Sequence, residues 1–88
     1  MHAVVVNVTI NDFERGREFL LNQVVPQVSQ APGFVAGYWT RGEDGNGLSM
    51  VVFESEDAAR AGADRIETPP AEAVTIDSVE VREVVAHA

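Results

Sequence analysis

The chain has 88 residues, which is enough for one domain and too few for two, so we expect residues 1–88 to fold as a single unit. Six basic residues against 14 acidic ones give a formal net charge of −8, and the basic residues are scattered arginines. Nucleic-acid phosphates and anionic membranes attract clustered cations, so neither is an expected partner. The absence of cysteine excludes disulfides, thiolate catalysis and zinc–sulfur sites.

Apolar residues are spread through the chain in short runs. The longest, Ala3–Val6 and Met50–Phe53, have four residues each, whereas a membrane-spanning helix needs about 20. The sequence also lacks the basic and apolar regions of a secretory signal. These features predict a cytoplasmic protein with no membrane partner.

The first predicted strand runs from His2 to Ile10 and alternates in hydropathy. Its even positions are almost all apolar, whereas the odd positions pass from Val5 to the polar Asn7 and Thr9. A period of two with many β-branched residues is typical of a strand. Two different environments are therefore expected on its two faces.

A helix of about five turns is predicted to follow. Either Asn11 or Asp12 can cap its first turn, because a short oxygen-bearing side chain accepts from an unpaired backbone N–H. Apolar residues recur at helical spacing from Phe13 to Val28. Pro26 removes one backbone donor near the end, which predicts a kink or a break into two helices there.

Two further strands, Phe34–Arg41 and Leu48–Glu54, flank a turn cluster at residues 42–47 that contains three glycines. Strands joined by such a short Gly/Asn/Asp loop predict an antiparallel hairpin. Ser55 can then cap a second helix whose inner residues are small and which ends before Pro69. Alternation over residues 78–85 predicts a fourth strand, and residues 71–75 remain ambiguous.

The resulting order, β-α-β-β-α-β, predicts an α+β, ferredoxin-like fold with a four-stranded antiparallel sheet. Both helices would cover one face of that sheet. Val5 and aromatic residues would remain on the bare face, which would promote association of a monomer. The simplest arrangement that covers this face is a homodimer in which two bare faces pack together.

Three sequence segments carry a resemblance to a known family: Pro32-Gly33-Phe34, Gly37-Tyr38-Trp39 and residues 51–58. With them the chain resembles the dimeric α+β barrel superfamily and, within it, small proteins similar to antibiotic biosynthesis monooxygenases. The resemblance covers nearly the whole chain. It implies a ligand cleft between sheet and helices. It also implies monooxygenase-like activity, without metal, flavin or other cofactor, on a small aromatic or polycyclic compound.

Cofactor-free oxygenation needs hydrogen-bond donors that stabilise an oxyanion on the substrate in a dry pocket. The candidate catalytic residues are Asn7, Trp39 and Arg82, and the candidate substrate-binding residues are Val5, Thr9, Tyr38 and Met50. Strand alternation allows only one of Tyr38 and Trp39 to face the cleft. The alternative function is a non-catalytic dimeric module that binds a small ligand or serves a structural role.

Each polar candidate also has a structural interpretation. Asn7 can be a hydrogen-bonded amide within the sheet. Arg41 and Arg82 can be solvated or paired with nearby acids such as Glu43 or Glu80. The acidic residues around Ser55 suit a helix N-terminus better than a metal site, because no further ligand converges on them.

Overall fold

The computed structural model describes all 88 residues and shows an α+β chain with a four-stranded antiparallel sheet, compatible with a ferredoxin-like fold. The elements are β1 (His2–Ile10), α1 (Phe13–Phe19), a π-helical turn (Leu20–Val24), α2 (Val25–Val28), β2 (Phe34–Arg41), β3 (Asn46–Phe53), α3 (Glu56–Asp64) and β4 (Val74–Glu83). The strands lie in the order β2-β3-β1-β4. None of the helices has the length and hydropathy of a membrane span.

The four predicted strands are confirmed, and the bounds of two of them change. β1 and β2 have the predicted bounds, whereas β3 begins two residues early at Asn46 and ends one residue early at Phe53. β4 starts at Val74, so it includes part of the ambiguous segment, and it ends at Glu83. The pairing of β4 with β1 skips Asp77. This bulge reverses the alternation of β4, so the pattern over residues 78–85 does not continue back to Val74.

Residues 13–28, which we call the first helical arm, stay helical throughout. Asp12 caps the arm by accepting a hydrogen bond from the backbone N–H of Arg15 at 3.3 Å. The division predicted near Pro26 is present: a π-helical turn separates α1 from α2, and Pro26 lies in the first turn of α2. In the π-helical turn the N–H of Val25 donates to the carbonyl of Leu20. The arm thus passes Pro26, which has no N–H to donate, without ending.

The core lies between α3 and the two central strands. Its buried members are Val4, Val6, Val51, Phe53 and Ala59. Phe34 meets Phe53 edge to face, with ring centroids 6.3 Å apart and an interplanar angle of 82°. Ser55 caps α3, as predicted, by accepting from the N–H of Ala58 at 3.1 Å.

The strand register assigns each residue to one of two sheet faces. The row Trp39, Ser49, Val6 and Val79 lies on the face that carries the helices, which we call the helix face. The adjacent row, Tyr38, Met50, Val5 and Glu80, lies on the opposite side, which we call the open face. Trp39 is therefore the aromatic residue of this pair that points toward the helices.

Candidate functional site

A cavity separates the first helical arm from the sheet. α3 packs against β1, β3 and β4, whereas the arm makes no comparably close backbone approach to any strand. The space left between them has a volume of about 620 Å³, and 18 of its 30 lining residues are hydrophobic. Small-molecule pockets typically measure about 300–1,000 Å³ and are mainly apolar. We call this cavity the cleft.

The floor of the cleft is the helix face of the sheet, and its roof is the first helical arm. Apolar floor positions come from alternate residues of the central strands, with Ser49 as a hydroxyl among them. The π-helical turn supplies Leu20, Leu21 and Val24 to the roof. Apolar residues recur at every second position in the strands and about every 3.6 positions in the arm, so each layer presents an apolar surface to the cleft.

Trp39 forms one wall of the cleft, and Gly37 makes its position possible. A Cβ atom on Gly37 would lie 2.6 Å from Cη2 and 2.9 Å from Cζ3 of the Trp39 indole. The ring therefore folds back across the glycine instead of filling the cavity. A flat apolar surface with one N–H donor is thus presented to whatever enters the cleft.

One end of the cleft carries a stacked pair. The Arg41 guanidinium carbon lies 3.7 Å from the centroid of the Phe13 ring, which is cation–π geometry. Both residues line the cleft, and both side chains reach solvent. Of the two structural interpretations of Arg41, the solvated one holds, because the side chain is exposed, stacks on Phe13 and has no salt bridge to Glu43.

The structure divides the predicted site residues between the two faces of the sheet. Trp39 lines the cleft. The other six belong to open-face positions by their register: Val5, Asn7, Thr9, Tyr38, Met50 and Arg82. The sheet separates these six residues from the cleft, so they and Trp39 do not surround one ligand within a single chain.

The polar candidates on the open face have partners within the chain. The Asn7 amide donates to the Ser78 hydroxyl at 3.1 Å, and the Thr9 hydroxyl donates to Asp77 at 2.8 Å. The Arg82 guanidinium donates to Glu80 at 2.7 Å, which is the structural interpretation given above. These contacts form a polar seam along β1 and β4.

Beside the polar seam lies an apolar surface, which we call the open-face patch: Val5, Tyr38, Leu48, Met50 and Val52. Tyr38 is 65% exposed, and Leu48 and Met50 are 44% and 40% exposed. Val5, in the central strand, is buried even in the single chain. The patch is thus an apolar surface on the side of the sheet that has no helices.

The acidic cluster at the start of α3 is engaged in local contacts. Glu56 accepts hydrogen bonds from Arg60 at 2.9 Å and 2.6 Å, and His2 lies 3.9 Å from its other oxygen. The hydrogen bond and the positive charge of Arg60 hold the pKa of Glu56 below its usual value. No group of three or more His, Cys, Asp or Glu side chains in the structure could hold a metal ion.

Several cleft residues were not identified from the sequence. Ser49 lies between the apolar residues Leu48 and Met50 in β3. Alternation places Ser49 on the opposite face of the sheet from these two neighbours, but it does not show which of the two faces the helices cover. Arg17 and Arg65 also line the cleft. Arg17 shares its helix with the apolar stripe, and only the three-dimensional path of the arm brings it to the cavity.

No protein-family model matches the chain, and no curated protein matches it. A fold of this kind does not define an activity by itself. Function must therefore be inferred from the cleft and the open face.

Proposed function

We propose that this chain is a homodimeric module that binds a small, mainly apolar molecule in the cleft. The observation that carries this proposal is the cavity of about 620 Å³ between the sheet and the first helical arm, with its predominantly hydrophobic lining. A filled core would leave no such space, because protein interiors pack with few voids larger than a water molecule.

An aromatic ligand suits this cleft best. Trp39 offers a flat wall, and Phe13 and Phe19 lie among the lining residues. Aromatic rings pack favourably against each other in offset or edge-to-face geometry. The Trp39 N–H and the Ser49 hydroxyl provide polar contacts that can orient a ligand on an otherwise apolar surface.

The open-face patch supports the proposed homodimer. A sheet with helices on one side leaves its other side to water unless a second molecule covers it. The patch is apolar and central, and the polar seam lies to one side of it. A two-fold arrangement of two patches would remove this apolar surface from water in both copies.

Cofactor-independent oxygenation is the second candidate, and the observation that favours it is the apolar cleft around Trp39 and Ser49. In this chemistry the enolate of the substrate reduces dioxygen directly, and the protein excludes water and stabilises charge. Asn7 and Arg82 lie on the other side of the sheet, so Trp39 and Ser49 replace them as the proposed donors.

Ligand binding is tested by filling the cleft. The Ser49→Leu variant adds volume to the floor, and Ser29→Leu makes the same chemical change at an exposed position outside the cleft lining. N-phenyl-1-naphthylamine serves as a neutral probe, and Trp39 is the only tryptophan, so quenching of its emission reports binding. We expect the affinity to fall by about tenfold or more in Ser49→Leu and to be unchanged in Ser29→Leu. Equal binding by both variants, or binding without quenching, would contradict the cleft.

Oxygenation is tested with phenolic and quinonoid compounds that bind. Catalytic oxygen uptake that persists with a chelator present would support the enzyme, and binding without uptake would support the binding module. Uptake that stops when trace metal is removed would contradict cofactor-free chemistry.

A further inference from the structure

The six arginines of the chain fall into two groups according to their partners. Each of the three outside the cleft lies within salt-bridge distance of a carboxylate: Arg15 at 3.7 Å from Glu72, Arg60 at 2.6 Å from Glu56 and Arg82 at 2.5 Å from Glu80. Each of the three that line the cleft, Arg17, Arg41 and Arg65, is without a salt bridge. The arginines without a salt bridge are therefore those that line the cleft.

The charge of the cleft is opposite to that of the whole chain. Its charged lining residues are three arginines and the single acid Glu67, a net of +2, whereas the chain as a whole carries −8. Of the 14 acidic residues of the chain, the 13 others do not line the cleft. The lining of the cleft is therefore positively charged although the chain as a whole is acidic.

The three arginines also lie at the solvent-exposed edge of the cleft, which is where a charged group on a bound ligand would be. All three are exposed, while the strands beneath them supply an apolar floor. Arg41 uses the face of its guanidinium to stack on Phe13, which leaves the N–H donors at its edge free. Those edges match the two oxygens of a carboxylate or sulfonate.

We propose that the ligand of the cleft is an amphipathic anion, with an apolar body on the sheet and a carboxylate, sulfonate or phenolate at the arginine rim. This inference rests on the proposed function, since it names the chemical class of the molecule that the cleft binds. The arginines orient the ligand through its charged end, and the apolar lining holds the rest.

Two fluorescent probes that differ by one charged group provide the test. N-phenyl-1-naphthylamine is neutral, and 1-anilinonaphthalene-8-sulfonate has the same rings with a sulfonate. The variant Arg17→Gln/Arg41→Gln is compared with the control Arg15→Gln/Arg60→Gln, which removes the same charge outside the cleft. Arg65 is left in place because a cation at the C-terminus of α3 also stabilises that helix.

We expect the cleft variant to bind the sulfonate about tenfold more weakly and the neutral probe within twofold of the unmodified chain, because exposed charge pairs contribute modestly. The control should bind both probes unchanged. A loss of sulfonate affinity that is equal in the two variants would overturn the anion proposal. Failure of the neutral probe to bind the unmodified chain would instead remove the proposed function.

Ionic strength gives a second readout that needs no variant. Salt screens charge over about 10 Å at 0.1 M. If the cleft arginines hold the sulfonate, its affinity for the unmodified chain falls as salt rises. If the overall charge of −8 dominates, screening reduces repulsion and the affinity rises, which would overturn the proposal.

Discussion

At the scale of single residues, the pKa of the Glu56 carboxyl depends mainly on one partner, Arg60. Arg60 lies one helical turn away and donates to it, and this contact lowers the pKa of Glu56. The Arg60→Gln variant removes this contact, so we expect the pKa of Glu56 to rise toward its ordinary value of 4.5. Carboxyl chemical shifts followed by NMR through an acid titration measure the change.

The sign of the pH dependence follows from the direction of the shift. A carboxylate whose pKa is lower in the folded state stabilises the fold above its unfolded pKa, and this contribution is lost as pH falls through the folded pKa. Arg60→Gln should therefore reduce the loss of stability on acidification. Arg15→Gln, on another helix, is the control, and a Glu56 titration that moves equally in both variants would contradict the Arg60 contact.

Residue pattern predicted which side chains share a strand face, but not which face the helices cover for β2 and β3. The even positions of β1 are almost all apolar, and they lie on the helix face, where Val4 and Val6 are buried. For Tyr38 and Trp39 the outcome depends on how β2 pairs with β3, and the register shifts between Phe34 and Ala36. Hydropathy alternation does not reveal such a shift. The sequence pattern therefore could not assign the candidate site residues to the two sheet faces, whereas the strand register does.

At the scale of elements, α3 approaches the sheet closely because Gly62 lacks a side chain. A Cβ atom there would lie 2.6 Å from Cζ of Phe53, which is only 1% exposed. Gly62→Ala should thus destabilise the chain by about 1–3 kcal/mol from overpacking, reduced by up to about 1 kcal/mol through better helix propensity. Urea denaturation measures the free energy of unfolding.

The control for this contact shortens the partner side chain. Phe53→Leu creates space at the same point, so adding Gly62→Ala to it should cost less than adding it to the unmodified chain. Strictly additive effects would show that the helix and Phe53 are not in limiting contact. Gly37→Ala differs, because the Trp39 indole beside it can move into the cleft, and we expect weaker probe binding with a smaller change in stability.

The helices were predicted in kind but not in path. Apolar spacing from Phe13 to Val28 indicated an amphipathic helix, and the Asp12 and Ser55 caps followed from side-chain chemistry. The π-helical turn was not predicted, because a shift from i−4 to i−5 hydrogen bonding leaves little trace in hydropathy. Since that turn supplies part of the cleft roof, residue pattern did not predict the shape of the cavity, although the family resemblance implied a cleft between sheet and helices.

At the scale of the whole molecule, the question is whether the open face is large enough for a stable dimer. Strands about 4.8 Å apart, with about eight residues at 3.3 Å each, give four strands a flat area near 500 Å². Side chains raise the accessible area of such a face toward the roughly 800 Å² per partner that stable interfaces bury. The open face therefore approaches the size that the proposed homodimer would require.

A charge placed in the centre of the open-face patch should separate the two copies. Met50 and Val79 are similarly exposed, at 40% and 42%, but they lie on opposite sheet faces. Met50→Asp would bury two like charges near the two-fold axis, so we expect a shift from dimer to a monomer of 9.5 kDa in sedimentation velocity, whereas Val79→Asp stays dimeric. Circular dichroism confirms that both variants fold. An unmodified chain that sediments as a monomer at tens of micromolar, or a dimer that Met50→Asp leaves intact, would show that this face is not where two copies meet.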